Sequence, residues 1–177
     1  MTDRLNRAKG ANALGFDHSY ARLGPAFSTP QAPDPVSDPR LLLWNQNLAD
    51  TLGWSGDPQS DAAQLAALAG NTPLRDSHPI ATVYAGHQFG QYNPQLGDGR
   101  ATLLGEWLTP SGERFDIQLK GAGPTAYSRG GDGRSPIGPV IREYLVSEAM
   151  FTLGVPSTRA LAALSLIHIS EPTRREG

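Results

Sequence analysis

Three stretches of this 177-residue chain combine residue types suited to phosphate chemistry. The first, Gln95-Leu96-Gly97-Asp98-Gly99-Arg100, stands just before an apolar run that opens at Ala101. Glycine lets backbone approach a ligand closely and turn its amides toward an anion, and a guanidinium offers planar donors that match phosphate. An ordinary Asp-Gly turn with a solvated Arg has the same sequence, so the tetrapeptide alone leaves both uses open. Gly-Asp-Gly-Arg returns at Gly131-Asp132-Gly133-Arg134, ahead of a helical pattern with Pro136 and Pro139 near its first turn. Helix N-termini attract anions, so backbone at Asp132 and Gly133 is placed either to clasp phosphate or to act as a flexible connector. The Asp132 carboxylate suits phosphate only if its amide or a metal ion does the binding. The third stretch is a pair: Lys120 ends an alternating run on its polar side, and Glu143 lies on the helix that follows. A carboxylate beside a lysine fixes a mobile ammonium in one place. Arg142 is an alternative partner for Glu143.

These residues need a frame, and periodicity outlines one. Ile80 to Tyr84 and Ala101 to Leu108 are strand-like, and Pro110-Ser111-Gly112 turns the chain into Arg114 to Lys120. There Phe115, Ile117 and Leu119 alternate with polar neighbours, which predicts a hairpin with one wet face. Residues 121–139 are too rich in Gly and Pro for a regular element. Val140, Ile141, Tyr144, Leu145, Ala149 and Leu153 then recur at helical spacing, predicting a helix over 139–153 that stops at Gly154. Residues 159–163 are a further strand candidate. Upstream, the Pro-rich segment 16–40 reads as extended chain. Asp38-Pro39 followed by Leu41 to Trp44, Leu48 and Leu52 predicts a helix over 39–52, and 61–69 a second, short one. The sum is an α+β chain with a mostly antiparallel sheet. The two Gly-Asp-Gly-Arg copies have different flanks, so they are recurring local chemistry and not a structural repeat.

Composition removes several classes of function. With 15 basic and 17 acidic side chains the formal charge is −2, so no bulk field favours nucleic acid or an anionic membrane. The absence of Cys excludes disulfides, thiolate metal sites and a Cys nucleophile. No apolar leader or membrane-length run is found, and the expectation is a soluble cytoplasmic chain. His87 has no second ligand at metal spacing and reads as a hydrogen-bonded structural residue.

In order, Val83-Tyr84-Ala85-Gly86-His87-Gln88-Phe89-Gly90, Gln95-Leu96-Gly97-Asp98-Gly99-Arg100-Ala101, Gln118-Leu119-Lys120-Gly121-Ala122-Gly123-Pro124-Thr125 and Gly131-Asp132-Gly133-Arg134 followed by Ile141-Arg142-Glu143-Tyr144-Leu145 and Ser147-Glu148-Ala149-Met150 resemble the SelO family of pseudokinase-fold protein adenylyltransferases. The resemblance runs from about Phe16 to Ala163. It implies a kinase-like N-lobe over 80–163 (antiparallel sheet plus C-type helix) and an N-terminal helical extension over 1–79. It also implies that Gly97, Gly99 and Arg100 form the nucleotide loop, that Lys120 pairs with Glu143 on phosphate, and that Asp132 and Gly133 touch ATP. The implied activity is transfer of AMP from a flipped ATP, with Mg²⁺, to Ser, Thr or Tyr hydroxyls of proteins. The family's catalytic Asp and metal ligands lie in a C-lobe beyond this sequence, so the chain by itself is expected to be inactive.

Two other function classes compete. Gly121-x-Gly123-x-x-Ala126 after a strand, with Glu143 about 20 residues on, imitates the dinucleotide fingerprint and predicts a parallel sheet with a helix opening at the glycines. A kinase-like lobe can also persist as a non-catalytic scaffold. The tail has its own reading: Leu164 to Arg174 matches, codon for codon, the translation of a transposase sequencing adapter. Residues 164–177 are accordingly expected to be adapter-derived, with no function at His168.

Overall fold

The computed structural model describes residues 15–166. In chain order they form β1 (Phe16–Asp17), a single 3₁₀ turn (Ala21–Leu23), β2 (Ser28–Pro30), β3 (Arg40–Trp44), α1 (Gln46–Leu52), α2 (Ala62–Leu68), β4 (Ile80–Thr82), β5 (Gly86–Gln88), β6 (Gln91–Asn93), β7 (Ala101–Leu108), β8 (Arg114–Lys120), α3 (Ile137–Thr152) and β9 (Ala162–Ser165). A five-stranded sheet runs β1-β7-β4-β2, with β8 also paired to β7, while β3-β9 and β5-β6 make two small sheets. Every one of these pairings is antiparallel. That overturns the dinucleotide reading, which needs parallel strands, and α3 opens at Ile137, well past Gly123.

The β7–β8 hairpin forms as its alternation predicts. Arg114, Asp116, Gln118 and Lys120 are exposed, and Phe115, Ile117 and Leu119 turn inward. Strand β7 departs from a one-wet-face pattern, since all of it except Leu108 is buried. One reason is Glu106, 3% exposed, whose carboxylate accepts the Ser19 amide at 2.6 Å and the Tyr20 amide at 2.7 Å, with Arg114 at 3.4 Å. The N-terminal segment thus covers the strand that would otherwise be wet. Segment 16–40 is therefore not simply extended chain: β1 adds to β7 and β2 to β4.

The core combines α1, α2 and the hairpin: Leu48, Leu52, Trp54, Leu68, Leu74, Leu104 and Trp107 pack together, with Phe115, Ile117 and Leu119 against them. Trp107 donates its indole N–H to the Leu52 carbonyl, which fixes the end of α1 on β7. Helix α2 is capped as its sequence suggests, Asp61 accepting from the amides of Ala63 and Gln64. The helix expected over 39–52 is corrected: its first half is β3. Four successive apolar residues satisfy either period, and pairing with β9 decides, Leu42 being skipped in the register and left 37% exposed. Asn45, not Asp38, caps α1 by accepting the Leu48 amide.

Strand β9 starts later than the expected 159–163 and takes Leu164 and Ser165 into its ladder with Leu41 and Arg40. The rest of the run assigned to adapter, from residue 167 and including His168, lies outside the described residues. Helix α3 lies against β9 and is held by a two-pronged ion pair, Arg159 Nε to Glu148 Oε1 at 2.9 Å and Arg159 Nη2 to Glu148 Oε2 at 2.6 Å. No described helix is long and apolar enough to cross a membrane.

Two carboxylates set an acid limit on this fold. Arg22 first, then the His18 amide and Arg114, hold Asp17 well below the usual carboxylate range, and Arg159 lowers Glu148. A carboxylate depressed in the folded state contributes stability above its unfolded value, about 4, and that contribution is lost as pH falls through the folded value. Urea midpoints are therefore expected to fall as pH drops from about 5 toward 2. Asp17→Asn should lower the neutral-pH midpoint and flatten the acid slope; an unchanged slope in the variant would remove Asp17 from the account.

Candidate functional site

The β7–β8 register places Ala101 opposite Lys120, and the Gly121 amide donates to the Arg100 carbonyl at 2.7 Å. Arg100 and Lys120 therefore leave the sheet together, at the end from which the glycine loop runs back toward β4. The Lys120 ammonium is ion-paired with Glu143 Oε1 of α3, so of the two partners open to Glu143 the structure uses Lys120. Both side chains are about half exposed, 44% and 50%. A pair so open to water contributes about 0–1 kcal/mol to folding, so its consequence is orientation of the ammonium. The Arg100 side chain is exposed and, among the described residues, its guanidinium makes no hydrogen bond or ion pair.

The glycine loop is held in shape by residues that sequence reasoning missed. The Thr125 hydroxyl donates to the Asp98 carbonyl at 2.6 Å, and the Ser128 hydroxyl donates to the Gly99 carbonyl. The Tyr127 ring lies under the glycines: a Cβ at Gly97 would stand 2.5 Å from Tyr127 Cγ, and one at Gly99 would stand 2.9 Å from the Tyr127 carbonyl. Tyr127 is itself hydrogen-bonded through its hydroxyl to Thr29 at 2.7 Å. The available signal was Thr125-x-x-Ser128 inside a glycine-rich connector, since hydroxyls at that spacing bond local backbone. Here Ser128 Oγ accepts the Thr125 amide and Thr125 Oγ1 accepts the Tyr127 amide.

Asp98 does not face outward. Its carboxylate accepts from the Thr82 hydroxyl, and from Tyr84 at 3.3 Å and Gln118 at 3.5 Å. Burial and then the Asp98 charge push the Tyr84 phenol up, so it stays a proton donor to Asp98. The loop's backbone and Arg100 are thus what remains available to a ligand.

The second copy of the tetrapeptide is anchored differently. Gly133 has φ 66° and is buried against the Gly123 carbonyl, where any Cβ would collide. Asp132 accepts the Arg134 amide at 2.9 Å, a turn within its own loop, and Arg134 Nη2 lies 3.9 Å from Asp34. Both copies are therefore braced by residues 121–128. Among the described residues no three His, Asp or Glu side chains group as a metal site. His87 packs edge-on against Tyr92 at 5.5 Å, and among the described residues its ring makes that aromatic contact in place of the expected hydrogen bond.

The glycines give a test of opposite signs. Gly133→Ala should destabilise by roughly 1–3 kcal/mol, because a left-handed φ and a backbone collision combine. Gly138→Ala, in the first turn of α3 with nothing within 4 Å, should raise stability by about 0.4–1 kcal/mol. Urea unfolding of both variants checks this, and equal shifts would contradict it.

Comparison with known proteins gives the same direction. The family model described as Protein adenylyltransferase SelO matches residues 11–177. A protein named Protein nucleotidyltransferase YdiU from Maridesulfovibrio salexigens is 58% identical over 151 residues, which is 85% of this chain and 30% of that protein. Proteins of the same name from Ruegeria pomeroyi and Bacillus cereus are 57% and 53% identical, covering 93% and 91% of this chain and 34% and 32% of theirs. The chain spans about a third of the length of these relatives. Matched over nearly its whole length by the family model, and sharing more than half of its aligned residues with nucleotidyltransferases of three bacteria, the chain belongs to the SelO family.

Proposed function

We propose that residues 80–163 form a kinase-like N-lobe of a protein adenylyltransferase, with 1–79 as its N-terminal extension. The observation that carries this reading is the Lys120–Glu143 ion pair, set beside the glycine loop by the Ala101–Lys120 register. Kinase-like folds hold nucleotide phosphates with such a pair. On this reading the amides of Gly97 and Gly99 and the Arg100 guanidinium take phosphate oxygens, Lys120 holds a further phosphate, and Asp132 and Gly133 contact ATP through backbone.

The reaction proposed transfers AMP to protein hydroxyls. A Ser, Thr or Tyr oxygen attacks the α-phosphorus of a flipped ATP and the bond to the β-phosphate bridging oxygen breaks. Pyrophosphate departs with that electron pair, and the hydroxyl proton passes to a base. Lys120 and Arg100 would offset negative charge on the phosphates as it shifts toward the leaving group. The described residues do not fit Mg²⁺, since Asp98 is turned onto Thr82 and Tyr84 and Asp132 onto its own loop. The reading assigns the base and the metal ligands to the part of the family chain outside this match.

The test uses the full-length protein with ATP labelled separately at the α- and γ-phosphates. Expected is transfer of the α label to protein, with pyrophosphate released. Transfer of the γ label would replace this reading with a kinase, and no transfer at all would favour a scaffold. Lys120→Ala and Glu143→Ala should impair the same step with non-additive losses, and Arg100→Ala should lower kcat/KM about ten- to a hundredfold. Residues 1–177 alone should show no transfer.

A further inference from the structure

Between β4 and the glycine loop the chain makes a β-hairpin that joins neither of the other two sheets of the described residues. Strands β5 and β6 pair only with each other, through Gly86↔Asn93, His87↔Tyr92 and Gln88↔Gln91. Among the described residues no further strand pairs with either outer edge, and an isolated two-stranded hairpin gains little stability by itself. Its tip is Phe89-Gly90, with φ 55° and 77°. Two successive positive φ values are what Asn-Gly or Asp-Gly supplies in such a turn, and a bulky side chain is unfavourable there. Phe89 is moreover 95% exposed and Tyr92 62% exposed. Neither the backbone nor the packing of this chain benefits from a phenyl ring at position 89, which points to a contact outside it.

Position and chemistry narrow what that contact is. The hairpin is tied to the nucleotide loop: the Leu96 amide donates to the Tyr84 carbonyl at 2.7 Å, Tyr84 reaches Asp98, and Arg129 Nη1 donates to Gln88 at 3.2 Å. Between Val83 and Gly97 there is no Asp, Glu, Lys or Arg, in a chain that is 18% charged. An uncharged patch of aromatic rings, amides and open strand edge is poorly suited to phosphate. It matches an extended polypeptide, which supplies backbone partners to a strand edge and apolar side chains to an aromatic anchor.

We propose that the β5–β6 hairpin docks the polypeptide acceptor, with the Phe89 ring as anchor and an open hairpin edge as template for an extended segment beside the transferred nucleotide. This rests on the adenylyltransferase reading above. The test uses the full-length enzyme, α-labelled ATP and, as acceptor, nucleotide-depleted soluble protein extract of the source cells, with initial rates followed against acceptor and against ATP.

Phe89→Asn keeps the turn and relieves its φ, so the Tm should stay the same or rise. Transfer at limiting acceptor should fall about five- to tenfold, as for loss of an aromatic anchor, with the KM for ATP changed by less than about twofold. Phe89→Tyr should restore transfer. An unchanged acceptor dependence in Phe89→Asn would overturn the proposal while leaving the reaction in place. A raised KM for ATP with unchanged acceptor dependence would overturn it too, assigning the ring to the nucleotide base. A lower Tm together with loss of both would reduce Phe89 to a structural residue. Absence of α-label transfer by the parent enzyme would instead be a failure of the adenylyltransferase reading itself.

Discussion

The end of the β7–β8 ladder is the constraint on which the candidate site depends. Because Ala101 faces Lys120 and the Gly121 amide adds one further bond to Arg100, the two cations leave the sheet at the same point. From there one chain direction becomes the glycine loop and the other becomes residues 121–128, and these pack on each other through Thr125, Tyr127 and Ser128. A register slip of one residue would turn Lys120 inward and expose Phe115, Ile117 and Leu119. The apolar alternation that builds the core is therefore also what aims Lys120 at Glu143. Folding and site geometry share one determinant here, although the ion pair adds little to stability.

Helix α3 shows the complementary arrangement, with stability on one side and exposed surface on the other. Its firm attachment is to the segment that leads into β9, by the Glu148–Arg159 pair and by the Arg159 guanidinium lying 3.6 Å over the Phe151 ring. Ser147 is its buried residue, whereas Leu145 is 60% and Leu153 76% exposed. Ile137, Ile141, Leu145 and Val146 line a shallow apolar groove along one side of the helix. An amphipathic pattern reports that a face is to be covered without reporting by what.

How much could be read in advance follows from the range of the interactions involved. Strand β8, α2 and α3 were legible because periodicity is local, and Lys120 with Glu143 because their spacing permits a pair that the family resemblance implies. Strand β3 was not, since Leu41-Leu42-Leu43-Trp44 fits either period until β9 arrives from more than a hundred residues away. Strands β1 and β2 were hidden in a Pro-rich stretch for the same reason. Thr125 and Ser128 escaped notice because they act on the carbonyls of Asp98 and Gly99 and not on any side chain. The dinucleotide-like glycines failed as a signal because a fingerprint means something only between a parallel strand and a helix, whereas here β8 is antiparallel and α3 opens only at Ile137.

The repeated tetrapeptide shows where local chemistry stops and tertiary context begins. The two copies do not share a backbone shape, since the first glycine has the positive φ in one (Gly97, 95°) and the second glycine in the other (Gly133, 66°). The aspartates diverge as well. Asp98 is drawn across to Thr82, Tyr84 and Gln118 and locks the first loop to the sheet, while Asp132 bonds only within its own turn. Arg100, with its loop fixed from behind, is exposed; Arg134 leans toward Asp34 of the N-terminal segment with Nη1 buried and unpartnered. An unpartnered buried donor is costly, a cost that the exposed Arg100 guanidinium does not carry. The same four residues thus make a presented cation in one place and a brace in the other, and the difference lies wholly in which strands and loops stand behind them.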